Sequence, residues 1–390
     1  MLRNPFNLKD LLWVAIAGAT LSMACAVSGC ASEEAASPPA AAPEISPAVV
    51  GKLLYFDTNL SNPPGQSCAS CHAPDNGFAE PHGQLPVSQG ANSHLCGNRN
   101  SPSVAYAAYS PEFYFDATEK MYVGGQFWDG RAKNLVDQAK GPFLNPVEMA
   151  MPSKAAVVAA VKASAYADLF EFVYGAAVWG DVDKAYDKIA EAIAAYEASA
   201  EVNRFSSKFD LYLAGKAQLT AGELRGLALF KDPAKGNCAA CHPATVSPDG
   251  TPPLFTDFTY DNLGVPKNAG NPFYSMPAVY NPEGMNLVDH GLGGVLKDMK
   301  EEGKFKVPTL RNVALTAPYM HNGLFNTLEA VVEFYNSRDV GKPDGGTWDP
   351  PEISANVNSE EMGNLKLSAD EVKDISDFMR TLTDGFAPAP

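Results

Sequence analysis

The chain has 390 residues, 46% of them hydrophobic and 19% charged, with a formal net charge of −16 at pH 7. That length accommodates two domains with hydrophobic cores. The acidic balance argues against a nucleic-acid partner and suits either a basic protein partner or simple solubility.

Residues 1–29 read as an export signal. Arg3 and Lys9 precede an apolar run from Leu11 to Val27, and the run ends at Val27-Ser28-Gly29-Cys30, a small-residue cleavage site. With Gly and Ser inside it, the run is short for a permanent transmembrane helix. The last four residues are similar to a bacterial lipoprotein box, which implies acylation at Cys30 and a membrane tether through lipid only. Removal of residues 1–29 takes away Arg3, Lys9 and Asp10, leaving 27 basic against 44 acidic residues. Residues 30–45 are poor in core formers and read as a flexible linker.

Ser46-Pro47 opens a predicted amphipathic helix with an N-cap and Pro at the first helical position. Gly51-Lys-Leu-Leu-Tyr-Phe56 within it leads to Cys68-Ala-Ser-Cys71-His72. The pattern recurs: Thr220-Ala-Gly-Glu223 forms a capping box, and Gly226-Leu-Ala-Leu-Phe230 leads to Cys238-Ala-Ala-Cys241-His242. Cys-x-x-Cys-His is the pattern of covalent haem attachment, in which two thiols capture the vinyl groups and the adjacent His is placed to ligate iron. A four-Cys zinc site built from both pairs is the competing reading, but zinc does not require a His directly after each pair. Two c-type haems in duplicated cytochrome domains are therefore expected. Of the seven Cys, Cys25 leaves with the signal, Cys30 takes lipid and four hold haem, so Cys96 stands alone and no disulfide framework is available.

Further helices are predicted over Lys154 to Tyr174, Asp181 to Glu201, Thr327 to Tyr335 and from the Ser368-Ala-Asp-Glu371 capping box to about Leu382. Gly-, Pro- and Asn-rich stretches cover 73–126, 243–308 and 339–364, and no sustained strand alternation appears. The fold class is mainly α, two cytochrome c-like haem domains with long irregular loops. Their expected bounds are 46–205 and 206–390.

Three groups of segments resemble the bacterial di-haem cytochrome c peroxidase and MauG family. They are Gly125-Gln-Phe-Trp-Asp-Gly-Arg131; Gln138-Ala-Lys-Gly-Pro142 with Asn145-Pro-Val-Glu-Met149; and Val307-Pro-Thr-Leu-Arg-Asn-Val313 with Thr316-Ala-Pro-Tyr-Met-His-Asn-Gly323. The likeness spans about residues 46 to 385. It implies hydrogen peroxide as substrate at the N-terminal haem, with the C-terminal haem relaying electrons. His72 and His242 become the proximal ligands, Gln138 and Glu148 line the distal pocket of the N-terminal haem, and Pro142 walls it. Read from the residues alone, Gln138 and Glu148 are ordinary solvated helix-surface groups. A carboxylate beside an open iron position moves a proton between the peroxide oxygens, and an amide orients the substrate.

The same resemblance places Trp128 between the haems as an electron relay, whereas a Trp beside Phe127 is otherwise core. It also makes Asn100, Thr316 and Pro318 the ligands of a calcium ion, with hard oxygen donors, in what are otherwise ordinary turn sequences.

Two departures matter. Peroxidases that need prior reduction carry a removable distal His in a Gly-His-Gly setting, where this chain has Gly90-Ala91-Asn92; His94 is out of register. The N-terminal haem is then expected to be open as made. At position 335 the peroxidases carry a Met that ligates the second haem and MauG carries Tyr; this chain has Tyr335. A packed core Tyr is the alternative, since Leu328, Val331, Val332 and Tyr335 share a helical face, and Met276, Met285, Met299 and Met320 are then the replacement ligands. A phenolate favours ferric and higher oxidation states, so reductive activation is not expected.

These features predict a lipid-anchored, periplasm-facing di-haem peroxidase. Its electrons come from a small cytochrome c or cupredoxin, or from a protein that is itself the substrate, as in MauG. A non-enzymatic di-haem electron carrier is the reading from another class, and it requires six-coordinate irons throughout.

Overall fold

Local sequence signals set most helix starts in the computed structural model, which describes residues 45–387 apart from 82 and 84. The signal segment, Cys30 and nearly all of the linker lie outside the described residues. Eleven α-helices form among those described. In the first half they are α1 Pro47–Tyr55, α2 Cys68–Cys71, α3 Leu135–Leu144, α4 Lys154–Lys162, α5 Ala167–Tyr174 and α6 Val182–Glu197. In the second half they are α7 Lys208–Leu213, α8 Ala221–Lys231, α9 Gly291–Leu296, α10 Leu328–Ser337 and α11 Ala369–Arg380. Two small antiparallel ribbons complete the regular structure: β1 Tyr114–Asp116 with β2 Met121–Val123, and β3 Tyr260–Asp261 with β4 Phe305–Lys306.

The two halves repeat one helix crossing. Ser46 caps α1 by accepting from the Val49 amide, and Asp181 caps α6 by accepting from Lys184. Where α1 crosses α6, a methyl on Gly51 would lie 1.8 Å from the Ala192 carbonyl oxygen. Four residues on, Tyr55 meets Tyr196 edge to face at 5.2 Å. In the second half, α8 and α11 both start from capping boxes, Thr220 with Glu223 and Ser368 with Glu371. A methyl on Gly226 would lie 1.9 Å from the Asp374 carbonyl oxygen, and four residues on Phe230 meets Phe378 at 5.2 Å. Each glycine is required by close approach rather than by backbone conformation.

Each crossing anchors its own hydrophobic core. Val50, Leu54, Phe143, Phe170, Ile189 and Ile193 are fully buried in the first, and Phe209, Phe230, Phe255, Ile375 and Phe378 in the second. The buried Arg311 spans between them, paired with Asp210 at 2.8 Å and lying over the rings of Tyr106 and Phe205.

Three elements differ from expectation. The predicted helix from Lys154 to Tyr174 is two, α4 and α5, because the Ser164 hydroxyl accepts from the Tyr166 amide and competes with the helical bond. Helix α6 stops at Glu197, where the Asn203 amide takes the carbonyls of Glu197 and Ser199. Helix α3, expected around Gln138 but without bounds, runs through Gly141 and Pro142 to Leu144. Asn134 caps it, and Pro142 falls in its last turn, so only the Gln138 carbonyl loses its i+4 donor. Between α8 and α9 lie only 3₁₀ turns and the two-residue strand β3.

Candidate functional site

Both Cys-x-x-Cys-His segments fold as a tight turn that brings their thiols to one side, α2 in the first half and a 3₁₀ turn over Cys238–Ala240 in the second. The following imidazoles are held alike. His72 Nδ1 lies 2.9 Å from the Pro102 carbonyl oxygen, and His242 Nδ1 lies 2.7 Å from that of Phe255. A carbonyl only accepts, so Nδ1 carries the proton and Nε2 keeps its lone pair, the tautomer a metal ligand needs. Burial pushes both imidazoles down to about 4, so both are neutral at physiological pH. Phe78 and Phe255, each on the loop behind its imidazole, take left-handed backbone angles, φ 57° and 54°. Non-glycine residues rarely adopt these. The Tyr55 hydroxyl donates to the His72 carbonyl and fixes the first turn from its other side.

A cavity in the second half is lined by Cys238, Cys241, His242 and Tyr335, together with Trp128 from the first half. Its walls are largely apolar, with Leu328, Ile375 and Met379 among them. Paired thiols, a neutral imidazole with a free Nε2 and an apolar wall fit a c-type haem. Burial raises the Tyr335 phenol well above its ordinary range, with Cys241 and Asp261 adding to the effect. A phenolate forms there only beside a strong positive charge. Of the alternative sulfur ligands, Met285 and Met299 are exposed and Met276 packs elsewhere with Leu95 and Phe273, whereas Met320 lines this cavity.

Near the first attachment turn, Glu148 interacts electrostatically with Cys71. Burial raises the Glu148 carboxyl above its usual range, partly offset by the Arg131 charge and a hydrogen bond with Asn145. Gln138 and Pro142 stand one turn apart on one face of α3, both half-buried. His94 is exposed.

Trp128 lies on the wall of the second cavity and is hydrogen-bonded toward the loop that holds His72. Its indole Nε1 donates to the Asn100 carbonyl at 2.8 Å, and Asn100 stands two residues before the Pro102 that holds His72. The Asn100 backbone also donates to His321, and its side-chain amide donates to Pro86. Asn100, Thr316 and Pro318 line the same cavity.

Lys306 went unrecognised in the sequence. It lines the cavity, donates to the Gly125 carbonyl at 2.6 Å, and is pushed by burial down to about 7. The carbonyls of Pro102 and Phe255 carry no sequence signal at all, since every residue has one.

No helix among the described residues is long and apolar enough to cross a membrane. Residues 46–218 match the model of the di-haem cytochrome c peroxidase family. The chain is 40% identical over 351 residues to the methylamine utilization protein MauG of Paracoccus denitrificans, covering 86% of this chain and 88% of that protein. It is 33% identical to the cytochrome c551 peroxidase of Pseudomonas aeruginosa, over 75% of this chain and 72% of that one. The crystal structure of the di-haem peroxidase BthA from Burkholderia thailandensis superposes with a TM-score of 0.76 at 34% identity, over 87% of this chain and 86% of that one. The chain belongs to the di-haem cytochrome c peroxidase and MauG family, as a peroxide-acting oxidoreductase with two haem c groups.

Proposed function

We propose that hydrogen peroxide is reduced or activated at the N-terminal haem and that electrons reach it through Trp128 from the C-terminal haem. The domains that hold them are 46–205 and 206–390. The observation that carries this reading is the short covalent and hydrogen-bonded path from His72 through Pro102, Ser101 and Asn100 to the Trp128 indole, on the wall of the second cavity. Haem bound here would supply the redox chemistry that O–O cleavage requires. The surrounding residues handle the proton and the substrate. Glu148, held above the usual carboxylate range, takes a proton from the near oxygen of peroxide and returns it to the far one, which leaves as water. The Gln138 amide orients the substrate, and Pro142 keeps the adjoining wall apolar. His72 and His242 would each hold a haem iron through the free Nε2.

Tyr335 ligates the second iron in this reading, supported by its place on the cavity wall with His242. Tyrosine there also favours a second outcome, MauG-like oxidation of a partner protein, with a small cytochrome or cupredoxin as donor otherwise. The exposed position of His94 counts against a closed N-terminal iron, which a pure electron carrier would need. Asn100, Thr316 and Pro318 hold a calcium ion in this scheme, and the protein faces the periplasm on a lipid anchor at Cys30. The deciding experiment adds peroxide to the pure ferric protein without reductant and follows the haem absorption bands. Immediate change at both haems supports the scheme, and silence until a reductant is added sinks it.

A further inference from the structure

Glu148 is clamped through its backbone by a loop that neither attaches haem nor carries a ligand. The Ala91 amide donates to the Glu148 carbonyl at 2.7 Å. A methyl on Gly90 would lie 2.4 Å from the Val147 carbonyl oxygen and 3.0 Å from that of Glu148. The Gly90 backbone is not left-handed, so glycine is needed here for space alone. The loop closes on itself, with Gly90 donating to Leu95 and Gly97 donating to Ser88.

It is fastened at both ends. At its base, the Gln66 amide donates to the Gln89 carbonyl at 2.7 Å and reaches the Cys71 sulfur at 3.4 Å. The loop's register is thus set by the haem-attachment turn. At its tip, Leu95 is buried against Phe273 and Met276 from the second half, with Val147 packed beside them. Asn271 of that same segment donates to the Asn98 carbonyl. Near its side-chain end Glu148 meets the Arg131 charge and a hydrogen bond from Asn145.

We infer that Gly90 is a positioning residue for Glu148: the 88–97 loop, locked between the haem-attachment turn and the Phe273–Met276 segment, sets where the Glu148 carboxyl stands. This inference rests on the role proposed for Glu148. Gly97 is the internal control, because a methyl there meets nothing closer than 3.6 Å.

The test measures the rate of peroxide cleavage in the di-haem protein for Gly90→Ala, Gly97→Ala, Glu148→Gln and the Gly90→Ala/Glu148→Gln double variant. Misplacing a catalytic group by about 1 Å costs about 10²-fold. Gly90→Ala is expected to lose on that scale, Gly97→Ala to match the parent, and the double variant to be no slower than Glu148→Gln alone. A residue acting only through Glu148 has nothing left to spoil once the carboxylate is gone.

A Gly90→Ala protein at the parent rate overturns the inference. So does an equal Gly90→Ala loss in both backgrounds, which marks a general structural fault. A Glu148→Gln protein at the parent rate removes the underlying reading instead. If Gly90→Ala fails to retain both haems, Leu95→Ala loosens the same loop from its outer end and must show the same dependence on Glu148.

Discussion

Glu148 and Glu197 are both held above the usual carboxylate range by burial, one toward Cys71 and the other toward Cys68. Their consequences differ. Glu148 belongs to the proposed pocket, and loss of a positioned acid–base group costs about 10²–10⁴-fold. Glu148→Gln is expected to slow peroxide cleavage on that scale with both haems attached. Stopped-flow absorption checks this, and an unchanged rate makes Glu148 a bystander.

Glu197 is 3% exposed, pushed up to about 8, and one of its carboxylate oxygens has no hydrogen-bond partner among the described residues. For an acid whose folded pKa lies above its unfolded one, the unfolded chain releases the proton first. Stability is therefore intact below about 4.5, falls as pH rises toward about 8, and is lost by on the order of a few kcal/mol across that window. Glu197→Gln should flatten this part of the stability profile, measured by urea midpoints at pH 5 and 8. An unchanged slope would show that the carboxyl finds a partner in solution.

Side chains of this kind are only half legible in a sequence. The thiols and imidazoles are announced by their spacing. Glu148 needed the family motif, because spacing alone gave it a solvated surface. Glu197 sits in an alternating Ala-rich helix and has no signature. The Pro102 and Phe255 carbonyls cannot be read in advance, since what selects them is a fold that brings them to Nδ1.

At the level of elements, capping chemistry was the most readable feature. Ser46 with Pro47, Thr220 with Glu223 and Ser368 with Glu371 each start a helix where expected. The bounds of helix α3 were not readable, because Gly141 and Pro142 imitate a helix end and tertiary packing of Ala139 and Phe143 overrides them. The internal repeat was visible as Gly51 to Tyr55 and Gly226 to Phe230, yet nothing in it names the helices they cross. Overpacking a tight contact costs about 1–3 kcal/mol, occasionally more. With backbone oxygens under 2 Å away, Gly51→Ala and Gly226→Ala should each reach the upper part of that range. Gly226→Ala is expected to broaden the spectrum of the C-terminal haem while leaving the N-terminal one unaltered, and Gly51→Ala the reverse. Identical disturbance of both haems by either variant would mean that the two crossings do not serve separate centres.

For the molecule as a whole, the choice between branches of the family turns on Tyr335. If its phenolate ligates the second iron, Tyr335→Met should raise that haem's reduction potential and make peroxide turnover depend on prior reduction. Tyr335→Phe should create a second high-spin signal. Spectra of the Phe variant that match the parent at both haems would leave Tyr335 as a wall residue and turn attention to Met320, which shares the cavity.

Close to the C-terminal end of the described chain, Asp384 takes the Tyr106 hydroxyl at 2.7 Å, the Ser206 amide at 2.9 Å and the Asn312 side chain at 3.0 Å. One carboxylate thus ties the first core, the junction and the second core together. The first core draws only on residues up to Val202 for its fully buried members. The clasp therefore acts on the junction between the two cores and, Tyr106 apart, leaves the first core's own buried members untouched. Protease access at residues 203–207 should report the loss of this clasp, high in a chain cut after Leu382 and low when Asp384 is present.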